Sequence, residues 1–311
     1  LSALAVGVGT IFVLLFPLIS LVLHGATAAV LWFGGIRVDA GLVEVGSLTA
    51  FMQYLLQILM AVMMATMIFL MIPRAMVSAK RINEVLATEP ELTEGSLETD
   101  DVLGYLEFRN VSFSYPGAEE PVLSNINFRA APGQTIGIIG STGSGKTTLL
   151  NLIPRLIDPS DGEVLIDGVP VSAYSRDALA NAVGMVPQKA FLFSGTVASN
   201  LRFGAPEATD DDIWQALETA QAKDFVSVRE TKDALGLESS IAQGGSDVSG
   251  GQRQRLAIGR ALAAKPKIYL FDDSFSALDA TTDAALRAAL AEQLTDATIL
   301  IVAQRVATIR D

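Results

Sequence analysis

The chain has 311 residues, half of them hydrophobic, with no cysteine and a net charge of −12. The missing cysteines exclude disulfides and thiolate metal sites, and the acidic balance argues against nonspecific nucleic-acid binding through a basic face. Charge is unevenly distributed: residues 1–36 and 45–73 carry none, while most of the 34 acidic residues lie beyond position 85, so a membrane part precedes a soluble part.

The first apolar run, "LSALAVGVGTIFVLLFPLISLVLHGATAAVLWFGGI", far exceeds the roughly 20 residues needed to cross a bilayer. It is too long for the core of a signal peptide, and no basic segment precedes it. It reads as a transmembrane helix over residues 1–35, and the run from Val45 to Pro73 opens a second helix over 46–85. Between them, "RVDAGLVE" is a tight external loop. Arg74, Lys80 and Arg81 at the far end of the second span mark that side as cytoplasmic by the positive-inside tendency. The two helices have places to bend at Pro17 and Pro73. His24, the sole histidine, is expected to be neutral and bonded to a neighbouring helix, and Trp32 reads as an interfacial anchor. Met60, Met64, Met67 and Met71 recur along the second span, with Gln53 and Gln57 one turn apart; such a face suits helix packing or a hydrophobic substrate. The chain does not begin with Met, and two spans make a small membrane domain, so a piece of a longer protein is expected.

Residues 80–101, "KRINEVLATEPELTEGSLETDD", lose the apolar pattern and gather acid. They read as the end of the long helix followed by a solvated linker, 86–103. From 104 to 311 strand and helix signals alternate. The segments "YLEFRNVSFSY", "VLSNINFRA", "TIGIIG", "NAVGMVPQ", "KIYLFDD" and "ATILIVAQ" are strand candidates, and 279–293 is a helix. This alternation predicts an α/β domain with a largely parallel sheet. A mostly helical stretch between Gln188 and Gly250 looks like an inserted subdomain.

"GSTGSGKT", Gly140 to Thr147, fits the phosphate-binding loop pattern. Small residues let the backbone curl so that its N–H groups point at phosphate oxygens. The candidate phosphate set is Gly140, Ser141, Thr142, Gly143, Ser144, Gly145, Lys146, Thr147 and Thr148. Lys146 would reach the β and γ phosphates of ATP, and the Thr147 hydroxyl would hold Mg²⁺. Asp272 ends the strand "IYLF", where a carboxylate can bind the same ion.

With "VSGGQRQR", Val248 to Arg255, the order of motifs resembles an ATP-binding cassette (ABC) transporter of the exporter type, across essentially the whole chain. The resemblance implies an α-helical transmembrane segment, the last two of six helices, followed by an α/β P-loop ATPase cassette with an inserted helical subdomain. Four helices would lie ahead of residue 1, and the end of the cassette beyond Asp311. It implies that Tyr115 in "FSYPG" stacks on adenine and that Gln188 in "VPQKAFLFSGT" contacts Mg²⁺ and the attacking water. Ser249, Gly250, Gly251 and Gln252 form the signature, and Asp279 in "SALD" belongs to the loop that crosses a dimer interface. Two such cassettes pair head to tail, each nucleotide lying between one chain's phosphate loop and the other's signature.

At two catalytic positions the chain departs from the family, while the signature is nearly intact, with Val248 for the usual leucine. The residue after the Mg²⁺-binding aspartate is usually a glutamate that polarises water; here it is Asp273. The histidine near the domain's end is here Gln304. Aspartate is one methylene shorter, and a misplacement of about 1 Å costs on the order of a hundredfold in rate; glutamine cannot carry positive charge or shuttle a proton. Every binding residue otherwise fits. The expectation is a plasma-membrane exporter subunit with a cytoplasmic cassette that retains ATP at its own slow site and completes the active site of a different partner half-transporter. Its substrate would be a hydrophobic drug or lipid, and membrane lipid its surroundings. A fully active homodimer, or a membrane-tethered ATP-binding regulatory subunit, stays open as an alternative.

Overall fold

The computed structural model describes residues 2–90, 92–99, 101–231 and 234–303. They fall into two units, Leu1–Pro90 and Glu91–Asp311.

The first unit is a pair of long helices, α1 (Ser2–Asp39) and α2 (Val45–Leu86), each continuing through its proline. The turn between them is set by Gly41, whose φ of 70° is left-handed. Its N–H donates to Val38 O at 3.0 Å and that of Leu42 to Arg37 O at 2.9 Å, the paired bonds that close a helix C-terminus and need a residue without a Cβ. At its fourth residue α2 sets Leu48 against Gly34, where a Cβ would lie 2.3 Å from Leu48 Cδ1. Pro17–Asp39 and Val45–Leu86 are long and apolar enough to cross a membrane. Large side chains such as Trp32, Phe33, Phe69 and Met71 are exposed on them. Where a bond to a neighbouring helix was expected, His24 Nδ1 donates to its own helix, at Ser20 O, 2.6 Å.

The second unit opens with a segment that the sequence suggests is solvated. Instead Leu97 forms a bridge to Tyr174, its N–H donating to Ala173 O and its carbonyl accepting from Ser175 N, both at 2.9 Å. The unit then continues with β1 (Leu106–Phe113), β2 (Leu123–Ala130), β3 (Thr135–Ile139), α3 (Lys146–Leu152), β4 (Asp161–Ile166), β5 (Val169–Pro170), α4 (Arg176–Ala182) and β6 (Val183–Val186). The inserted stretch holds α5 (Val197–Leu201), α6 (Asp210–Thr219) and α7 (Lys223–Ser227). It also holds four two-residue strands, β7 (Gly195–Thr196), β8 (Glu230–Thr231), β9 (Ala234–Leu235) and β10 (Ser240–Ile241). Then come α8 (Gly250–Ala263), β11 (Ile268–Asp272), α9 (Ala280–Gln293) and β12 (Thr298–Ala303).

Two sheets form where the alternation of elements suggests one. Strands β3, β12, β11 and β6, in that order, make an all-parallel sheet, while β2, β1, β4 and β5 make a separate antiparallel one. All five residues of β11 are buried, which is why it reads as an unbroken apolar run. Tyr269 and Phe271 face a core shared with the inserted helices, and Ile268 and Leu270 face a core shared with the antiparallel sheet. Register aligns the carboxyl ends: Asp272 pairs with Val302, Ala303 with Ile139, and Phe271 with Val186. The loops after β3, β11 and β6 therefore leave from one edge, where open α/β sheets bind ligands.

Candidate functional site

The phosphate loop follows β3 directly. Gly143 and Gly145 have φ of 82° and 86°, backbone that L side chains rarely adopt. At Gly145 there is also no room: a Cβ would lie 2.9 Å from Val122 Cγ1 and 3.0 Å from Leu123 Cδ2. Lys146, the first residue of α3, curls its ammonium over the loop, donating to Gly140 O at 2.8 Å and Ser141 O at 2.7 Å. The loop carbonyls thus hold the cation at the mouth of the turn it would use to bind phosphate.

Beside it Thr147 Oγ1 donates to Asp272 Oδ2 at 2.8 Å. Asp272 is 4% exposed. Burial, reinforced by the neighbouring Asp273 carboxylate, raises its pKa above the usual carboxylate value, against the pull of Thr147 and Lys146. A buried carboxylate next to a second one is stabilised in its charged form by a cation, and a hydroxyl already in contact with it supplies a second oxygen ligand. These residues fit Mg²⁺, which takes one or two protein oxygens and completes its shell with phosphate and water. Among the described residues no cluster of three or more His, Cys, Asp or Glu forms a self-sufficient metal cage.

Asp273 sits just past β11 with φ of 48°, a left-handed conformation that aspartate tolerates better than most residues. Its N–H donates to Val302 O at 3.1 Å, and its Oδ2 accepts from Gln188 Nε2 at 3.1 Å. Tyr115 meets Phe113 edge-on, and its hydroxyl shares a hydrogen bond of 3.1 Å with that of Thr148. One cleft of about 290 Å³ is lined by Tyr115, residues 142–148, Gln188, Asp272 and Asp273.

Two further wall residues, Val122 and Val302, have no signal in the sequence beyond their strand context. Two supporting bonds also emerge only in the fold: Ser274 Oγ donates to Val186 O at 2.8 Å, and Gln254 Nε2 to Pro187 O at 3.3 Å. Together they hold the chain at the two residues just before Gln188. Gln254 stands within the "GGQRQR" run, so its place in that motif was the one available clue.

The other predicted residues lie elsewhere. Ser249 is the N-cap of α8, its Oγ accepting from Gln252 N at 3.2 Å while Gln252 Oε1 accepts from Ser249 N at 3.0 Å. Gly250 has open space around it, and a Cβ on Gly251 would meet Ala277 O at 3.3 Å, so the signature turn abuts the loop that ends at Asp279. Asp279 caps α9, accepting from Thr282 N at 3.0 Å and Thr282 Oγ1 at 2.8 Å; these bonds, the backbone one foremost, hold its pKa below the usual value. None of Ser249, Gly250, Gly251, Gln252 or Asp279 lines the cleft of Lys146. Gln304 lies outside the described residues. Replacing Ser249 with alanine is expected to cost about 1 kcal/mol through the lost cap, seen as a melting temperature lower by about 2–4 °C.

A family model described as ABC transporter matches residues 123–276, from β2 to the loop after β11. An uncharacterized ABC transporter ATP-binding protein of Mycobacterium tuberculosis is 48% identical over 98% of this chain and 53% of its own length. The chain belongs to the ABC transporter family. An ATP-dependent lipid A-core flippase of Pseudomonas fluorescens is 37% identical over 94% of the chain and 48% of the relative. The structure of a bacterial Atm1-family ABC exporter with ATP bound superposes with a TM-score of 0.81 at 28% identity, covering 99% of this chain and 54% of that one. The chain spans about half the length of the curated relatives it matches.

Proposed function

We propose that this ABC transporter chain is the helix-and-cassette half of an exporter subunit, whose whole protein uses ATP to move a lipid or other hydrophobic molecule across a membrane. The observation that carries the reading is the convergence, on one sheet edge, of Lys146, the Thr147–Asp272 pair and the Gln188–Asp273 pair. In this reading Lys146 gives up its loop carbonyls for the β and γ phosphates, Thr147 and Asp272 hold Mg²⁺, and Tyr115 takes the adenine. Bound Mg²⁺ offsets phosphate charge. Ser249 to Gln252 open α8 with N–H groups that suit a phosphate but stand outside the cleft of their own chain, which supports a site completed by a second cassette.

The partner in this reading is a different half-transporter, with Asp279 at the interface. The short Asp273 carboxylate bonds to Gln188, and Gln304 replaces a histidine, so this chain's own site binds ATP and turns it over slowly while its signature serves the partner. A lipid-type cargo is supported by the resemblance to the flippase; the exposed apolar helices and the exporter relatives support a membrane location with the cassette on the cytoplasmic side.

The test is to purify the complete protein alone and measure ATP binding and hydrolysis in one preparation at saturating Mg-ATP. Tight binding with little turnover is the expected result. Vigorous turnover would make the protein a homodimeric exporter for which Asp273 and Gln304 suffice, and ATP binding without substrate movement in vesicles, with any partner, would make it a regulatory subunit.

A further inference from the structure

A second cleft, of about 240 Å³, opens at the opposite edge of the parallel sheet. Its walls are α6, the end of α8, the start of β11 and the turn from α9 into β12, so it lies between the inserted helices and the sheet. Nothing in the proposed nucleotide chemistry uses it.

The most buried polar residue of its lining is Tyr269. The residue is 2% exposed, its ring lies parallel to that of Phe271, and its hydroxyl has no hydrogen-bond partner among the described residues. The ring is buried while the hydroxyl, not one of the buried unpaired polar atoms, opens on the cleft and can donate to whatever occupies it; burial of the ring raises its pKa, so it stays a neutral donor. Ala216, Leu262 and Leu294 give the cleft an apolar side. At the rim Lys265 is engaged by Asp212 at 2.5 Å. That leaves one cation, Lys267, and one anion, Asp296, neither in an ion pair among the described residues.

We infer that this cleft binds a small zwitterion of the amino-acid class, its carboxylate taken by Tyr269 and Lys267, its ammonium by Asp296 and its apolar side chain by the Ala216–Leu262–Leu294 wall. The volume equals about eight waters in the liquid, enough for one such molecule. A simple anion meets the Asp296 carboxylate unrelieved, and a simple cation meets Lys267; only a molecule with both charges answers both. Because an occupant touches α6 on one side and β11 on the other, it ties the inserted helices to the sheet.

The experiment titrates the full chain in detergent with L-phenylalanine, and separately with hydrocinnamate, which lacks the ammonium, and phenethylamine, which lacks the carboxylate. L-Phenylalanine is expected to bind at millimolar concentrations and more tightly than either analogue. Tyr269→Phe keeps the ring in place and is expected to weaken binding by roughly three- to tenfold. Lys146→Ala, at the other edge, is expected to leave L-phenylalanine binding unchanged while ATP binding falls, so failure here and failure of the nucleotide reading are told apart. No binding of L-phenylalanine, equal binding of an analogue, or an affinity untouched by Tyr269→Phe would each overturn the inference and leave a water-filled cleft.

Discussion

Replacing Lys146 with alanine is expected to lower the ATPase rate of the assembled transporter at this chain's site by about 10²–10³-fold. Lys146 is the cation of the cleft, and its ammonium already lies within hydrogen-bond reach of two loop carbonyls, so no large movement is needed to meet a phosphate. Alanine removes a preorganised charge aimed at the oxygens where negative charge is concentrated, and water cannot replace it in the fixed turn between Gly140 and Gly145. Nucleotide affinity is expected to drop as well, by about ten- to a hundredfold, the worth of a charge-assisted bond. The fold should survive, because alanine favours the helix start that Lys146 occupies. The checks are equilibrium binding of Mg-ATP and the steady-state rate, with a thermal melt confirming that the variant is folded. A folded variant that hydrolyses ATP normally would remove the phosphate loop from the proposed chemistry.

The second large effect runs the other way. Asp273→Glu combined with Gln304→His is expected to raise turnover at this site by about a hundredfold. Glutamate extends the carboxylate by one methylene beyond the position where Asp273 meets Gln188, and histidine restores a group that can be charged and exchange protons. Stability is expected to fall slightly in the same variant, by no more than about 1 kcal/mol. The left-handed backbone at 273 suits aspartate, with its short polar side chain, better than glutamate. Rate and melting temperature moving in opposite directions would support the trade. An unchanged rate in the assembled transporter would mean that neither departure limits hydrolysis, and the proposed division of labour between two unlike cassettes would fall.

Some of this is legible in the sequence, for reasons visible in particular residues. The two uncharged runs announce membrane helices because no backbone other than a helix or a closed barrel satisfies its own polar groups in lipid, and the turn at Gly41 was implied by the eight residues available between them. "GSTGSGKT" declares itself because a phosphate cradle needs glycine where φ is positive, as at Gly143 and Gly145, and a lysine and a hydroxyl immediately after. The apolar run 268–271 ending in Asp272 is legible because a strand buried on both faces tolerates a carboxylate only at its end.

Only the tertiary structure decided which of these residues meet. The register of β12 between β3 and β11 brings Thr147 within 2.8 Å of an aspartate 125 residues away, and no local propensity encodes such a distance. The same holds for the split into two sheets: β1, β2 and β4 look much like other strands one at a time, and their antiparallel pairing is a property of cross-strand packing. The fold also makes Ser249 and Asp279, both outside the Lys146 cleft, the N-caps of α8 and α9, a role that the motif alone does not reveal. Finally it buried the ring of Tyr269 at the floor of a second cleft. The sequence shows only a tyrosine in a hydrophobic strand, since burial and hydrogen-bond satisfaction belong to the packed chain and not to the residue.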